Sequence, residues 1–374
     1  MDVLILSCSM GGGHDSAAKA ILEEMKNLGH KAVMFNPYTL KSDRLANTID
    51  KAYVSVARST PKLFGVIYKI GDIYRKLPCR SPLYFINRAM NKTMQEYLSL
   101  HHFDIVIITH LFGAEILTNM KNHGIKVPKM LFVATDYVCT PFTEEVACDA
   151  YIIPTSDIYY DFITRGIPKN KIYPYGIPTH AKFAEIKDKN AVRDRLCLKK
   201  DKKYILIAGG SMGGGNIKKA INKIQAYFKT SNDIELIVIC GSNKQLYKKL
   251  KQQNDLKTTV IGYTNDMASY LKASDLFITK PGGLSSTEAA VCGVPILHTS
   301  AIPGCETCNA RYFSDYGMSV TGNITYDILK RAEELLNDEA ACKKMIERQR
   351  KYINPNAARD ACILAEKLIK EEAI

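Results

Sequence analysis

The sequence predicts an α/β protein of two doubly wound domains, and three observations lead to this prediction. Short apolar runs alternate with amphipathic segments along most of the chain. A buried strand followed by a glycine-rich turn and a helix occurs twice, about 200 residues apart. The length of 374 residues corresponds to about two or three domains of ordinary size. We therefore expect two similar domains that face each other across a cleft.

The first domain opens with a strand, a glycine turn and a helix. Residues 3–7 form a continuous apolar run, as expected for a strand that is buried on both faces of a parallel sheet. Three glycines follow at 11–13, and apolar residues then recur at helical spacing from Ala17 to Leu28. A second strand at 32–35 completes one β-α-β unit.

The segment 41–100 differs from its surroundings because it is basic and rich in aromatic residues. It holds eleven Lys and Arg residues against four Asp and Glu residues, a net charge of +7, with seven Tyr and Phe residues among them. Each basic side chain near an anionic lipid surface contributes about 1 kcal/mol to binding. Two interpretations remain: a surface that contacts an anionic membrane, or solvated helix faces whose aromatic side chains point into the core.

Alternation resumes after residue 100. We expect strands and helix starts at the following places: strands at 105–109, 130–135, 151–153 and 171–173, and helices after Leu111 and Ser156. Pro and Gly residues at 174–178 and a polar stretch up to Lys189 then predict a domain boundary. The first domain accordingly spans 1–185.

The second domain, 186–355, repeats this opening. A strand at 204–208 leads into the glycine loop 209–215 and a helix from Asn216. Further strands are predicted at 235–240, 259–261, 276–279 and 295–297. Residues 356–374 are expected to form a helix that packs back toward the first domain.

Composition and charge exclude several classes of protein. An apolar content of 46% with 24% charged residues is typical of globular proteins, and no apolar run approaches the ~20 residues of a membrane span. Asp2 stands where a signal peptide would be basic, and eleven scattered cysteines indicate reduced thiols, so a cytosolic protein is expected. The pair Cys305 and Cys308 lacks the further ligands of a structural zinc site. The net charge of +13 favours an acidic partner surface, but without a recognised motif we expect no nucleic acid partner.

Candidate chemistry in the first domain lies after two strands. Gly12 and Gly13 let the backbone approach a ligand closely, and the helix N-terminus that follows attracts anions. His14 is a residue type that acts as a base near neutral pH, although it could equally cap a tight turn. Asp136, directly after the strand 130–135, either faces the cleft or forms an Asx turn.

Two polar segments follow strands of the second domain. The loop 209–215 matches neither the P-loop nor the dinucleotide fingerprint, which argues against ATP hydrolysis and NAD chemistry. The segment 301–310 is polar and contains Gly and Pro, so we predict a loop. Loops at such positions in open α/β sheets line the ligand crevice.

A third motif of this domain follows the strand 276–279. Gly282 and Gly283, directly after Lys280 and Pro281, can present backbone N–H groups to a diphosphate. A helix is expected from about Ser285, which would place the carboxylate of Glu288 on its first turn, where it can accept both hydroxyls of a ribose. Ser285 and Glu288 also have the spacing of a capping box, and both interpretations can hold together.

These motifs, taken in order, resemble the monogalactosyldiacylglycerol synthase and processive diacylglycerol glucosyltransferase family. They are similar, more distantly, to the enzyme that adds N-acetylglucosamine to lipid I in peptidoglycan synthesis. The resemblance extends over nearly the whole chain. The segments that carry it are 9–17, Thr135 and Asp136, 176–178, 209–215, 280–288 and 303–310. The resemblance implies the GT-B fold, in which the active site lies between two Rossmann-like domains.

The resemblance also implies a role for each candidate residue. His14 and Asp136 fall on the acceptor side, next to the loop of Gly12 and Gly13, and either is a candidate for activating the attacking hydroxyl. The remaining residues are implied to bind a UDP-sugar: the diphosphate by Gly210, Ser211, Met212, Lys280, Gly282 and Gly283, the ribose by Glu288, the uracil by Gly262 and the sugar by Glu306.

The implied reaction is an inverting transfer of a hexose from UDP-glucose, UDP-galactose or UDP-N-acetylglucosamine to 1,2-diacylglycerol, with no metal or other cofactor. The enzyme would work as a peripheral protein on the inner, cytoplasmic face of the cell membrane, held through segment 41–100. Two departures bear on specificity: Cys305 stands where the family often has Gln, and Tyr137 follows Asp136 where relatives commonly place His and Trp. The alternatives are transfer to another lipid-linked or small-molecule hydroxyl, and a UDP-N-acetylglucosamine 2-epimerase of the same architecture.

Overall fold

Each half of the chain folds around a parallel sheet of six strands. The computed structural model describes residues 1–9, 12–59, 80–186, 188–210, 217–253, 255, 257–299, 301–324 and 327–370, with backbone alone for 52–59. The chain divides into two units. The first takes residues 1–180, 303–305 and the chain from Asn354 onwards, and the second takes 181–302 and 306–353.

The first sheet has the strand order β2-β1-β3-β4-β5-β6. Its strands are β1 (Asp2–Leu6), β2 (Lys31–Phe35), β3 (Ile105–Ile108), β4 (Lys129–Val133), β5 (Ala150–Ile152) and β6 (Ile172–Tyr173). The chain leaves β1 for the edge strand β2 and then returns to the other side of β1 as β3. In open parallel sheets, ligands bind outside the carboxyl ends of the strands at such a switch point. Here the switch point lies between β1 and β3, where Leu6 pairs with Ile108.

The second sheet has the order β12-β11-β10-β7-β8-β9. Its strands are β7 (Lys203–Ala208), β8 (Ile234–Ile239), β9 (Thr258–Ile261), β10 (Leu276–Thr279), β11 (Ile296–His298) and β12 (Val320–Thr321). Strands β7 to β9 build outward on one side and β10 to β12 on the other. The switch point therefore lies between β7 and β10, where Ala208 pairs with Thr279.

Helices connect the strands of both sheets. They are α1 (Gly13–Asn27), α2 (Asp43–Ser59), α3 (Pro82–Asn87), α4 (Asn91–Leu100), α5 (Leu111–Asn122), α6 (Tyr159–Ile163), α7 (Lys182–Glu185), α8 (Lys189–Arg195), α9 (Ile217–Phe228), α10 (Lys244–Gln252), α11 (Met267–Ala273), α12 (Gly283–Cys292), α13 (Cys305–Asp315), α14 (Ile328–Asn337), α15 (Glu339–Tyr352) and α16 (Ala357–Lys370). Within the described residues, none of the helices combines the length and apolar character needed to cross a membrane.

The apolar runs form strands that are buried on both faces, as predicted. In β1, Leu6 packs into one cluster with Ile116 of α5, while Ile5 packs into another with Ile21 of α1 and Leu364 of α16. The last helix of the chain thus covers the first sheet next to α1. In the second unit, alternate residues of β7 pack in the same way against α9 and α14.

The predicted strands are confirmed to within two residues, but two other predictions were wrong: Ser285 as the cap of the helix after β10, with Glu288 in its first turn, and a loop over 301–310. The helix after β10 begins at Gly283 with Gly282 as its N-cap, so Ser285 does not cap it and Glu288 lies in its second turn. Burial explains the earlier start, because Gly283 and Leu284 already pack into the core. The segment 301–310 is not a loop throughout, since α13 begins at Cys305. Its buried residues from Asn309 onward follow helical spacing, which the polar first turn conceals.

Candidate functional site

The first candidate site lies at the carboxyl ends of β1 and β3. His14 is the second residue of α1, and its Nδ1 lies 2.7 Å from the carbonyl oxygen of Thr109, the residue after β3. The same nitrogen lies 2.9 Å from the hydroxyl of Thr135, which follows β4. Because a carbonyl oxygen only accepts, Nδ1 carries the proton and Nε2 remains the acceptor nitrogen. The contact with Thr109 therefore fixes the orientation of the imidazole and leaves Nε2 as the nitrogen that can serve as a base.

The glycine turn and two serines fix the start of α1. Gly12 caps the helix with a φ of 78°, a left-handed conformation that costs a residue with a Cβ more than it costs glycine. Asp15, in the first turn, accepts from the hydroxyl of Ser7 at 2.6 Å and from that of Ser9 at 2.5 Å. These bonds tie the helix to the end of β1 and thereby set the place of His14. Gly13 is the first residue of the helix.

A second histidine stands beside His14, and the sequence analysis missed it. The ring centroids of His14 and His110 are 4.6 Å apart, with the rings edge to face. Burial lowers the pKa of His110 well below its usual range, and the nearby His14 adds to this shift. The signal was present, because His110 directly follows the predicted strand 105–109 at the edge where ligands bind.

Asp136, the other candidate base, lies half-buried at the same edge of the sheet. It directly follows Thr135, whose hydroxyl contacts His14. The structure therefore places both predicted acceptor-side residues at the same edge of the first sheet, His14 after β1 and Asp136 after β4, with β3 between these strands.

The second candidate site lies at the carboxyl ends of β7 and β10. Gly210, two residues after β7, has a φ of +74°, and a Cβ built there would lie 3.1 Å from Cε of Lys280, the first residue after β10. The ammonium of Lys280 pairs with one carboxylate oxygen of Glu306 in α13. The other oxygen of Glu306 accepts the backbone N–H of Ile302 at 2.9 Å. Gly210, Lys280 and Glu306, which belong to three separate sequence motifs, therefore lie close together.

The helix that starts beside this pair has a glycine as its N-cap. Gly282 offers no side chain to accept the N–H groups of the first turn of α12, which starts at Gly283. The preceding turn is anchored by Asn309 of α13, whose amide donates to the carbonyl of Pro281 at 3.1 Å. Glu288 lies farther along this helix, and its side chain is largely buried.

Three further residues belong to the predicted donor site, and the structure describes one of them. Gly262 follows β9, and a Cβ built there would meet the ring of Tyr247 at 3.8 Å, so an aromatic side chain borders this position. Ser211 and Met212 lie outside the described residues. Among the residues that the structure does describe, no group of three or more His, Cys, Asp or Glu side chains is arranged to hold a metal ion.

Part of the basic segment 41–100 is described, and its aromatic residues divide into two kinds. Tyr84 is buried in α3, with the guanidinium of Arg80 over its ring, whereas the neighbouring Phe85 and Ile86 are 58% and 62% exposed. Arg88, two residues after Ile86, is exposed as well. Residues 60–79 lie outside the described part of the chain, and so do the side chains of 52–59.

Comparison with protein families gives a match for each half of the chain. Residues 14–179 match the model described as monogalactosyldiacylglycerol (MGDG) synthase, and residues 188–352 match that of glycosyl transferases group 1. Curated relatives named processive diacylglycerol beta-glucosyltransferase align over most of the chain. That of Bacillus pumilus is 27% identical over 92% of this chain and 88% of its own length, and that of Bacillus subtilis is 26% identical over 99% and 95%.

Solved structures show the same fold. MurG of Acinetobacter baumannii superposes with a TM-score of 0.63 at 16% identity, covering 98% of this chain and 99% of that one. MnaA of S. aureus, in a co-structure with UDP, gives a TM-score of 0.66 at 13% identity over 99% and 97%. These likenesses confirm the prediction of two Rossmann-like, doubly wound domains of the GT-B type.

Proposed function

Because the chain is a glycosyltransferase that joins a monogalactosyldiacylglycerol synthase domain to a group 1 glycosyl transferase domain, we propose that it transfers glucose from UDP-glucose to 1,2-diacylglycerol. The observation that carries the proposal is the similarity to processive diacylglycerol β-glucosyltransferases over more than nine-tenths of the chain. The product would be a β-linked glycolipid.

In this proposal the diphosphate of the donor binds at the switch point of the second sheet. The Lys280 ammonium and the N–H groups at the start of α12 supply positive charge where negative charge grows on the leaving group, and such fixed charges and dipoles usually dominate catalysis of this kind. Gly210 leaves room for the close approach. The other assignments follow the family resemblance: Ser211, Met212, Gly282 and Gly283 at the diphosphate, Glu288 at the ribose, Gly262 at the uracil and Glu306 at the sugar hydroxyls.

The acceptor hydroxyl is activated in the first unit. His14 Nε2 takes the proton as the glycerol oxygen attacks the anomeric carbon, and Thr109 keeps the ring in the tautomer that this requires. Asp136 is the other candidate base, since it stands at the same sheet edge. In a single displacement the bond from the acceptor oxygen to the anomeric carbon forms as the bond to the diphosphate breaks. An α-linked donor then gives a β-linked product, and UDP leaves with the electron pair.

We propose that this reaction needs no metal ion. Support comes from the fixed positive charge at the second site, where Lys280 and the α12 N-terminus take the part that a divalent cation plays in other transferases. Addition of a chelator such as EDTA should therefore leave the rate unchanged, and a loss of activity restored by magnesium would refute this part of the proposal.

We propose further that the enzyme works as a peripheral protein on the cytoplasmic face of the cell membrane. Support comes from the exposed apolar side chains of Phe85 and Ile86 within a segment of net charge +7, a combination that suits contact with anionic lipid. The protein should sediment with vesicles that contain phosphatidylglycerol, and less so as salt is raised. Equal binding to purely zwitterionic vesicles would contradict the role of the basic segment.

A donor screen tests the proposed activity. Purified protein is incubated with diacylglycerol-containing liposomes and UDP-glucose, UDP-galactose or UDP-N-acetylglucosamine in turn, and lipid products are identified by mass spectrometry. Hexosyl-diacylglycerol from UDP-glucose is expected. No lipid product with any of the three donors would defeat the proposal, while product from another donor would change only the sugar.

A second candidate is kept because UDP-N-acetylglucosamine 2-epimerases share this fold. The epimerase of Neisseria meningitidis, for example, superposes with a TM-score of 0.63. An epimerase would convert UDP-N-acetylglucosamine with no acceptor present, whereas a transferase would not. Incubation with that nucleotide sugar alone separates the two activities.

A further inference from the structure

Two imidazole rings meet at the switch point of the first sheet, and they are held in opposite ways. His14 uses Nδ1 as a donor, toward the carbonyl of Thr109. His110 uses Nδ1 as an acceptor, from the backbone N–H of Phe112 at 3.3 Å, because it is the N-cap of α5. The two rings contact each other edge to face, with centroids 4.6 Å apart.

His110 is itself firmly placed. Its side chain is 7% exposed, its cap hydrogen bond fixes it to the start of α5, and its ring packs edge to face against Phe112 at 4.7 Å. Among the described residues, His14 has its hydrogen-bond contacts at Nδ1, with Thr109 and Thr135. The edge-to-face contact with His110 packs against the ring itself and restricts its rotation about the Cβ–Cγ bond.

We propose that His110 is a positioning residue for His14, whose ring it holds in the orientation that aims Nε2 at the acceptor hydroxyl. The inference rests on the proposed function, in which His14 is the base. His110 acts through His14 and does not exchange a proton with the acceptor itself. Burial lowers the pKa of His110 well below its usual range and keeps this ring neutral, so His110 is not the group that takes up the proton.

The double role of His110, as helix cap and as ring contact, can be separated by two substitutions. His110→Asn keeps a good N-cap for α5 but removes the ring that touches His14. His110→Phe keeps a ring at this position but removes the nitrogen that accepts from Phe112. The two variants form a crossed pair, in which each serves as the control for the other.

The experiment measures kcat, the KM for the UDP-sugar and the melting temperature of the full chain. We expect His110→Asn to lower kcat about tenfold or more with KM unchanged, because small misplacements of a catalytic group are costly. Its melting temperature should stay close to that of the native protein. His110→Phe should keep kcat within about threefold and lower the melting temperature by about 2 to 4 °C through the lost cap.

A double variant shows whether His110 acts through His14. If it does, His14→Ala combined with His110→Asn has the same kcat as His14→Ala alone, because nothing is left to position. A further drop by the full factor of the single His110→Asn variant would overturn the proposal. An unchanged kcat of His110→Asn, or an equal loss in a folded His110→Phe, would overturn it as well.

These outcomes are distinct from a failure of the proposed function. If native protein makes no glycolipid, the transferase assignment fails before His110 is tested. If His14→Ala keeps full turnover, the base assignment fails. If His110→Phe does not fold, His110→Asn and the double variant still decide the question.

Discussion

The two switch points of this molecule share a topology but differ in chemistry. At the first, between β1 and β3, the imidazole of His14 is held by a backbone carbonyl and a threonine hydroxyl and lies beside the buried ring of His110. At the second, between β7 and β10, an ion pair of Lys280 and Glu306 lies beside a glycine and the start of a helix. The fold places polar groups at both edges in the same way, and the residues directly after the strands decide what each edge can bind.

This difference fits the two halves of a group transfer. A general base must be unprotonated before it accepts a proton, so a sheet edge that carries an imidazole and a carboxylate suits the acceptor. A diphosphate is an anion, so a site with a fixed ammonium and a helix N-terminus suits the donor. Substitutions at one switch point are expected to leave the other intact.

The largest effect is expected at the first region. His14→Ala should lower kcat by roughly 10²–10⁴ because the general base is lost, while the KM for the UDP-sugar stays unchanged. Initial rates with diacylglycerol vesicles measure both constants. The exposed His123→Ala is the control and should behave like the native protein. A drop of less than tenfold would shift the role of base to Asp136.

At the second region, Lys280→Met should weaken the donor half. Loss of the ammonium leaves Glu306 without its ion-pair partner and removes charge from the diphosphate site, so kcat/KM for the UDP-sugar should fall roughly 10²-fold. Calorimetric titration with UDP checks the binding part. Lys343→Met, which removes an ammonium paired with Glu339 on the surface, provides the comparison. Equal UDP affinity in native protein and Lys280→Met would remove Lys280 from the donor site.

A smaller effect is expected from Glu288. Glu288→Ala should raise the KM for the UDP-sugar roughly tenfold, since a carboxylate hydrogen bond to the ribose is lost, with little change in kcat. The measurement pairs donor kinetics with a melting curve, and Glu339→Ala on the exposed face of α15 is the matched control. Unchanged donor kinetics would cancel the ribose assignment.

The smallest effect concerns stability and depends on the protonation of a buried carboxyl group in α5, the helix that follows the first switch point. Burial raises the pKa of Glu115, in α5, from 4.5 to about 8, while Asn87 donates to the carboxylate. The folded state therefore keeps a proton that the unfolded state loses, and stability falls as the pH rises from about 4.5 through about 8. Glu115→Gln should remove most of this fall.

Melting temperatures at pH 5.5 and 8.5 measure that difference. The native protein should lose several degrees more than Glu115→Gln between the two values, and the exposed Glu96→Gln should follow the native protein. Parallel curves for native protein and Glu115→Gln would show that Glu115 does not titrate in this range.

Local sequence patterns were sufficient to predict most of the fold. Apolar runs such as 3–7 and 204–208 form strands that are buried on both faces. Their continuous apolar character is therefore enough to identify them as strands. The start of α12 was misplaced because its first turn is set by burial of Gly283 and Leu284, which a capping pattern does not report. Strand β12 has two residues and gives almost no periodic signal.

Candidate site residues could be singled out from the sequence where a local motif contains them. A candidate that depends on a contact between distant parts of the chain could not. His14 was singled out from its place after a glycine turn, whereas the roles of Lys280 and Glu306 were implied by the family resemblance. His110 was missed because its role depends on the ring of a residue 96 positions earlier in the chain, a contact that only the strand order β2-β1-β3 creates.

The helix α16 has a consequence for how the protein is made. It covers the first sheet together with α1, although residues 181–302 and 306–353 belong to the other unit. A ribosome adds about 5–20 residues per second, so the first sheet waits roughly 10 to 40 s with part of one apolar face uncovered while the chain between is synthesised. A nascent chain stalled before α16 would therefore be a natural client for chaperones, even though His14, His110 and Asp136 have already been synthesised.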